Sequence, residues 1–114
     1  MRLSEFMTIA LPRAIELYFS SENEHDPALL DRCVAVDAVV HDERKTIRGL
    51  QAIKAWRAET GKKYRHTVQP VTVSERDGAI VVTGKVTGNF PGSPIDLDHA
   101  FRLEGGKIAT LDIG

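Results

Sequence analysis

The chain has 114 residues, with 15 Lys and Arg against 16 Asp and Glu, a formal charge of -1 and one cysteine. Two independent cores would each be too small at this length. The near-neutral charge withdraws the positive field on which nucleic-acid or polybasic membrane binding draws. Cys33, the single cysteine, has no partner for an intramolecular disulfide, which fits a reducing compartment.

At the N-terminus, MRLSEFMTIALPRAIEL carries Glu5, Pro12 and Arg13, so no uninterrupted apolar core of roughly 7–15 residues exists for a signal peptide. Apolar runs elsewhere fall far short of the roughly 20 residues that a spanning helix requires. The expectation is one soluble, cytoplasmic domain over residues 1–114, without repeats or linkers.

Leu11, Ala14, Ile15, Tyr18 and Phe19 recur at three- and four-residue spacings. This predicts a helix that starts near Pro12 and ends near Ser20-Ser21. Asp26-Pro27 opens a second helix, Asp26 as cap and Pro27 at the first helical position, with Leu29, Leu30 and Cys33 on its apolar side. The β-branched stretch that follows predicts a strand at Ala38–Asp42. Gly49 precedes a third helix, with Leu50, Ile53 and Trp56 on one side and Gly61 as its stop.

After Lys62 the pattern is strand-like. Pro70 marks an edge or a bulge. Asp77-Gly78 is a tight hairpin signal, Asn89 to Pro94 makes a turn around Gly92, and Glu104-Gly105-Gly106 joins the last two strands. The order helix, helix, strand, helix and four consecutive strands predicts an α+β fold with a mostly antiparallel sheet and helices on one face.

Strand parity then picks out polar residues on apolar faces. Between Asp96 and Leu103, the residues Leu97, His99, Phe101 and Leu103 share one face, so His99 points with the apolar side chains and Asp98 points away. Val36, Ala38, Val40 and Asp42 share a face, which sets a carboxylate at the rim of the core. Tyr18 lies on the apolar side of its helix, and its hydroxyl needs a partner. Each group has a plain structural role open to it: a core tyrosine, a satisfied core histidine, a strand-end aspartate. Burying three such groups from separate elements without partners costs about 1–3 kcal/mol each, and a pocket is one way of keeping them useful.

Three stretches, LPRAIELYFSSENEHDPALLDRC, VDAVVHDERKTIRGLQAIKAW and NFPGSPIDLDHAFRLEGGKIATLDI, resemble the nuclear-transport-factor-2-like superfamily, within it the SnoaL-like and ketosteroid-isomerase-like branches. The resemblance implies a cone: a strongly bent, mostly antiparallel sheet wrapped around three helices in the N-terminal half, with an internal pocket. It also implies a homodimer through the sheet face. In ketosteroid isomerases a helix tyrosine and a protonated carboxylic acid stabilise an enolate while an aspartate moves the proton. By position, these correspond to Tyr18 and Asp42, with the carboxylic acid replaced by His99, or by Asp98 after a one-residue slip; parity favours His99. That third residue departs from the isomerase pattern, as does the charged loop DERKTIRG.

The resemblance thus implies a small-molecule pocket with Asp42 as general base and Tyr18 and His99 as hydrogen-bonding groups for a carbonyl turning into an enolate. The outcome is an isomerisation or an aldol-type cyclisation, with no metal or other cofactor. Ile53, Trp56, Phe90 and Phe101 are expected to form apolar walls for a neutral or hydrophobic ligand. The other reading is a non-catalytic ligand-binding or dimerisation module of the same fold. Other residues offer less. Cys33 reads as core, and His41, Asp42 and Glu43 alternate across a strand and so form no metal set. His25 and His66 read as exposed, and Lys62, Lys63 and Arg65 as a solvated strand start.

Overall fold

A computed structural model of the protein describes residues 10–114. The stretch examined for a targeting signal lies outside the described residues up to position 9. Helix α1 spans Arg13–Asn23 and begins directly after Pro12. A 3-10 helix follows at Pro27–Arg32, where the Asp26 carboxylate accepts from the Ala28 N–H at 3.2 Å. The predicted cap is therefore present, but the element is a short 3-10 helix of six residues in place of an α-helix. Strand β1 is Val34–Asp42 and β2 is Lys45–Arg48. Helix α2 is Leu50–Tyr64. The remaining strands are β3 (Thr67–Arg76), β4 (Ala79–Thr87), β5 (Ile95–Glu104) and β6 (Lys107–Ile113).

The six strands form one strongly curled, unclosed sheet in the order β2-β1-β6-β5-β4-β3. The β1–β6 pair is parallel and every other pair is antiparallel. The helices pack on the inner face, where Ile15, Tyr18, Phe19, Leu30, Ile53, Phe101 and Leu111 make the core. This is the cone-shaped α+β arrangement that the element order and the resemblance predicted.

Several local expectations need correction. β2 was read as part of a charged loop; its four residues carry too little apolar pattern to signal a strand, yet they pair with Val39–Asp42. Helix α2 runs through Gly61 and ends where Arg65 adopts a left-handed conformation (φ 46°), so Lys62 and Lys63 belong to its last turn. Val36 does not share the inner face with Ala38 and Val40. The pairing of β1 with β6 slips between Val34 and Val39, which turns Val36 outward to 80% exposure. A bulge of this kind breaks the strict period of two.

Two connections carry the turn chemistry expected of them. Asp77 and Gly78 both have positive φ (53° and 82°), as a two-residue primed hairpin turn requires. Gly49 (φ 92°) donates its N–H to the Ala38 carbonyl at 2.7 Å, fixing the start of α2 against β1. Pro70 sits at a register shift on β3, itself an edge strand, so the bulge and the edge coincide. Among the described residues, no helix is long and apolar enough to cross a membrane.

Candidate active site

The sheet topology brings several strand ends to one end of the cone. Asp42 is the last residue of β1, Ile113 the last of β6, Val86 lies near the end of β4, and Leu97 near the start of β5. Tyr64 closes α2 beside them, where its carbonyl accepts from the Asn89 N–H at 2.8 Å. Between these elements lies a cavity of about 310 Å³.

Of the residues singled out in the sequence, Asp42, His99, Trp56 and Phe90 line this cavity. Ile53 and Phe101 do not. Both are fully buried, because helix spacing and strand parity aim them at the packed interior instead of the hollow. Tyr18 is also outside the wall. Its ring packs edge-on against Phe19 and Phe101, and its hydroxyl accepts from Arg57 Nη2 at 2.8 Å. Asp98 faces outward and accepts from the Thr83 hydroxyl at 2.7 Å. His99 is the member of that pair which turns inward.

The largest addition is a buried ionic group beside the cavity. Glu22, Arg57 and His66 are 5%, 4% and 6% exposed, and all three line the hollow. Arg57 Nη1 lies 3.1 Å from Glu22 Oε2, and His66 Nε2 donates to the same oxygen. The 3.3 Å approach of Arg57 Nη1 to His66 Nε2 is then two donors converging on one acceptor. Arg57 also stacks on Trp56, its guanidinium carbon 4.2 Å from the ring centroid.

The sequence held a signal for these residues. Glu22 lies four residues beyond Tyr18, and Arg57 four beyond Ile53, so each extends the apolar stripe of its helix. His66 shares strand parity with Val68 and is buried, which corrects its reading as exposed; Asn23 fixes that strand by two hydrogen bonds to the Val68 backbone (2.9 and 2.7 Å).

The electrostatics follow from burial. Burial alone would raise the Glu22 carboxyl, but the Arg57 guanidinium and the His66 hydrogen bond outweigh it and hold it below the usual carboxylate range. Burial works against the Arg57 charge as well; the Tyr18 hydroxyl, Glu22 and Asp42 more than offset this. Asp42 is raised, by burial first and by Glu43 second, against the opposing pull of Arg57 and Trp56. Burial among aromatic rings lowers His99, although Glu22 and the Val82 and Leu97 carbonyls favour its charged form. Burial pushes the Tyr18 hydroxyl up, and it stays protonated at neutral pH. The Cys33 thiol is pushed up to about 11 by burial and takes no part in the site.

The arrangement thus offers a half-buried carboxylate with raised proton affinity, a fixed guanidinium and an uncharged imidazole around one hollow. Among the described residues, no group of three or more His, Cys, Asp or Glu is set to hold a metal ion.

Comparison with known proteins agrees with this fold. The chain shares 34% identity with a Sinorhizobium meliloti protein provisionally named a polyketide cyclase, over 91% of this chain and 95% of that one, with a TM-score of 0.86. It is similar in fold to a Catenulispora acidiphila protein with a ketosteroid isomerase-like fold, solved with trimethylamine (17% identity, 92% and 86% coverage, TM-score 0.78). It is also similar to a provisionally named isomerase of the SnoaL-like family from Agrobacterium tumefaciens (15% identity, 88% and 92% coverage, TM-score 0.72). No functionally curated sequence matches the chain. Residues 15–111 match the SnoaL-like domain, and with the cone, its cavity and the Sinorhizobium relative this makes the chain a member of the SnoaL-like family.

Proposed function

We propose that the cavity takes up a small neutral or largely apolar carbonyl compound and that Asp42 moves a proton at the carbon next to the carbonyl. The observation that carries this reading is the convergence of Asp42 and Arg57 on one hollow. A carboxylate with raised proton affinity is a better general base near neutral pH than an exposed one. As the proton leaves carbon, the electron pair moves onto the carbonyl oxygen, and a fixed guanidinium is suited to meet that charge. The proton then returns to another carbon, giving isomerisation, or the carbanion attacks a second carbonyl, giving aldol-type ring closure.

Within this reading Tyr18 is a positioning residue that acts through Arg57, since its hydroxyl is bonded to the guanidinium. His99, which also lines the cavity, contributes an uncharged polar contact. Trp56 and Phe90 supply apolar surface. The polyketide cyclase name of the Sinorhizobium relative supports the same class of chemistry. No cofactor is needed for it. The proposal extends to a homodimer paired across the sheet and, given the lone buried Cys33, to a cytoplasmic setting.

Hydrogen–deuterium exchange tests the mechanism. A panel of small aryl and cyclic ketones is incubated with the protein in deuterated water, and loss of the protons next to the carbonyl is followed by NMR. The expected outcome is exchange that depends on the wild-type protein and vanishes in Asp42→Asn at unchanged folding. Exchange that persists in Asp42→Asn overturns the assignment of the base. Ketones that bind in the cavity without any exchange favour the non-catalytic binding module instead.

A further inference from the structure

A second hollow, of about 590 Å³, lies where the turn after α1 meets the C-terminal half of α2. Among the described residues, neither a strand nor a carboxylate contributes to its wall. Pro27, Ala58 and Gly61 give it an apolar floor, and His25, Lys62 and Arg65 stand around that floor. Arg57 reaches this hollow too, but its charge is already answered by Glu22 and its Nη2 by the Tyr18 hydroxyl. Lys62 and Arg65 are different. Both are exposed, and among the described residues neither forms an ion pair or a side-chain hydrogen bond. Lys63 lies over the Tyr64 ring, 5.1 Å from its centroid, and is not part of the wall. Glu24 and Asp26 flank His25 in the chain and Glu59 precedes Lys62 by three residues, yet none of these acids lines the hollow. Asp26 is spent on the Ala28 N–H.

The backbone that carries these cations is held on both sides. The Asp26 N–H bonds to the Ser21 carbonyl at 2.9 Å, and the Arg65 N–H to the Gly61 carbonyl at 3.0 Å. His25 (φ 53°) and Arg65 (φ 46°) both take left-handed turns, which bring the chain around the hollow. Gly61 lets the two sides approach: a Cβ there would lie 3.1 Å from His25 Nδ1. The helix dipole accounts for a lysine in the last turn of α2, but not for Arg65 and His25 meeting at the same hollow.

We infer that this cleft binds a phosphate monoester, its phosphate held by Lys62, Arg65 and His25 and its carbon skeleton resting on Pro27 and Ala58. Two unpaired cations match a group of charge about −1.5 to −2 at neutral pH better than a carboxylate of charge −1. Guanidinium and ammonium N–H groups both donate to phosphate oxygens in short, charge-assisted bonds. The cleft is separate from the carbonyl cavity, so the inference goes beyond the proposed function and does not rest on it.

The test is an amide-resolved NMR titration of the full chain with phenyl phosphate and with benzoate, at neutral pH and constant ionic strength. The two probes share a ring and differ in the charge of the anionic group. The expected result is saturable shifts at the Gly61, Lys62 and Arg65 amides, with phenyl phosphate bound about tenfold tighter than benzoate. Lys62→Gln combined with Arg65→Gln is expected to weaken phenyl phosphate about tenfold and to leave the Asp42 and His99 signals in place. Both side chains are exposed, so the core is untouched; Lys62→Gln alone, which keeps the left-handed Arg65, repeats the test with a smaller loss. Benzoate bound at the cleft as tightly as phenyl phosphate overturns the inference, and so do shifts that grow without saturating. Shifts centred on Asp42 and His99 would move the phosphate to the inner cavity and overturn it as well. An affinity unchanged in the folded variants has the same consequence. Deuterium exchange at the carbonyl cavity bears on the proposed function alone, so the two readings fail separately.

Discussion

Arg57 is the residue on which the site turns. It links Tyr18 and Glu22 by hydrogen bonds, covers Trp56, and is almost fully buried. A buried charge persists only when paired, and breaking such a pair costs about 3–5 kcal/mol. The ionisable groups around it make opposite contributions to stability as pH changes. Glu22 is held below its ordinary value of 4.5, so its stabilisation is complete above that pH and is lost as pH falls toward the native value. His99 is held below its ordinary 6.5; its contribution is likewise complete above 6.5 and lost on acidification. Asp42 is raised above its ordinary 3.8, so its contribution is present below 3.8 and lost as pH rises through the native value. At neutral pH the Asp42 charge therefore works against folding. Melting curves between pH 7 and pH 4 are expected to show the wild type losing stability toward acid. Asp42→Asn is expected to melt above the wild type at pH 7, with a gap that closes toward pH 4. A lower melting temperature for Asp42→Asn at pH 7 would refute the raised proton affinity on which the base rests.

The elements explain why part of this site was legible in the sequence and part was not. Alternation in β5 told His99 from Asp98, because the strand keeps a regular register against β4. In β1 the same reasoning placed Asp42 on the inner face yet erred at Val36, where the slip against β6 depends on a strand more than 70 residues away in the chain. Glu22 and Arg57 extend apolar helix stripes, but a charged residue at the end of such a stripe reads as a solvated edge until its partner on the other helix is known. Gly61 is the clearest helix case. Read as a stop, it instead lies inside α2, which continues for three more residues to Tyr64. Glycine in a helix interior costs about 0.5–1 kcal/mol relative to alanine. A Cβ at this position would come 3.1 Å from His25 Nδ1, a ring on an exposed turn that is free to rotate away. Gly61→Ala is accordingly expected to raise the melting temperature by a few degrees. A fall would mean that the His25 ring is fixed against α2.

At the scale of the whole molecule, the cone combines a packed core with a cavity. Leu30 of the 3-10 helix and Cys33 just after it are fully buried in that core, with the Ile108 N–H bonded to the Cys33 carbonyl at 2.8 Å. A domain of this size that retains a hollow forgoes some of its packing. The sheet also remains unclosed, with β2 and β3 as free edges. Beyond Pro70 every residue of β3 is exposed, including Val71 at 49% and Val73 at 40%. An uncovered edge strand bearing two valines is a surface that another chain can cover, and burial there would offset what the cavity forgoes. The homodimer proposed across the sheet would take in this strand as part of its surface. Light scattering is expected to give twice the chain mass for the wild type at micromolar concentration, and Val73→Asp is expected to shift the population toward monomer. Because Val73 lies on an exposed stretch of strand, the substitution leaves the core untouched, so a monomer that keeps native circular dichroism would tie the dimer to this edge. A wild type that stays monomeric as its concentration is raised would remove the dimer from the proposal and leave the cavity, which is built from one chain, unaffected.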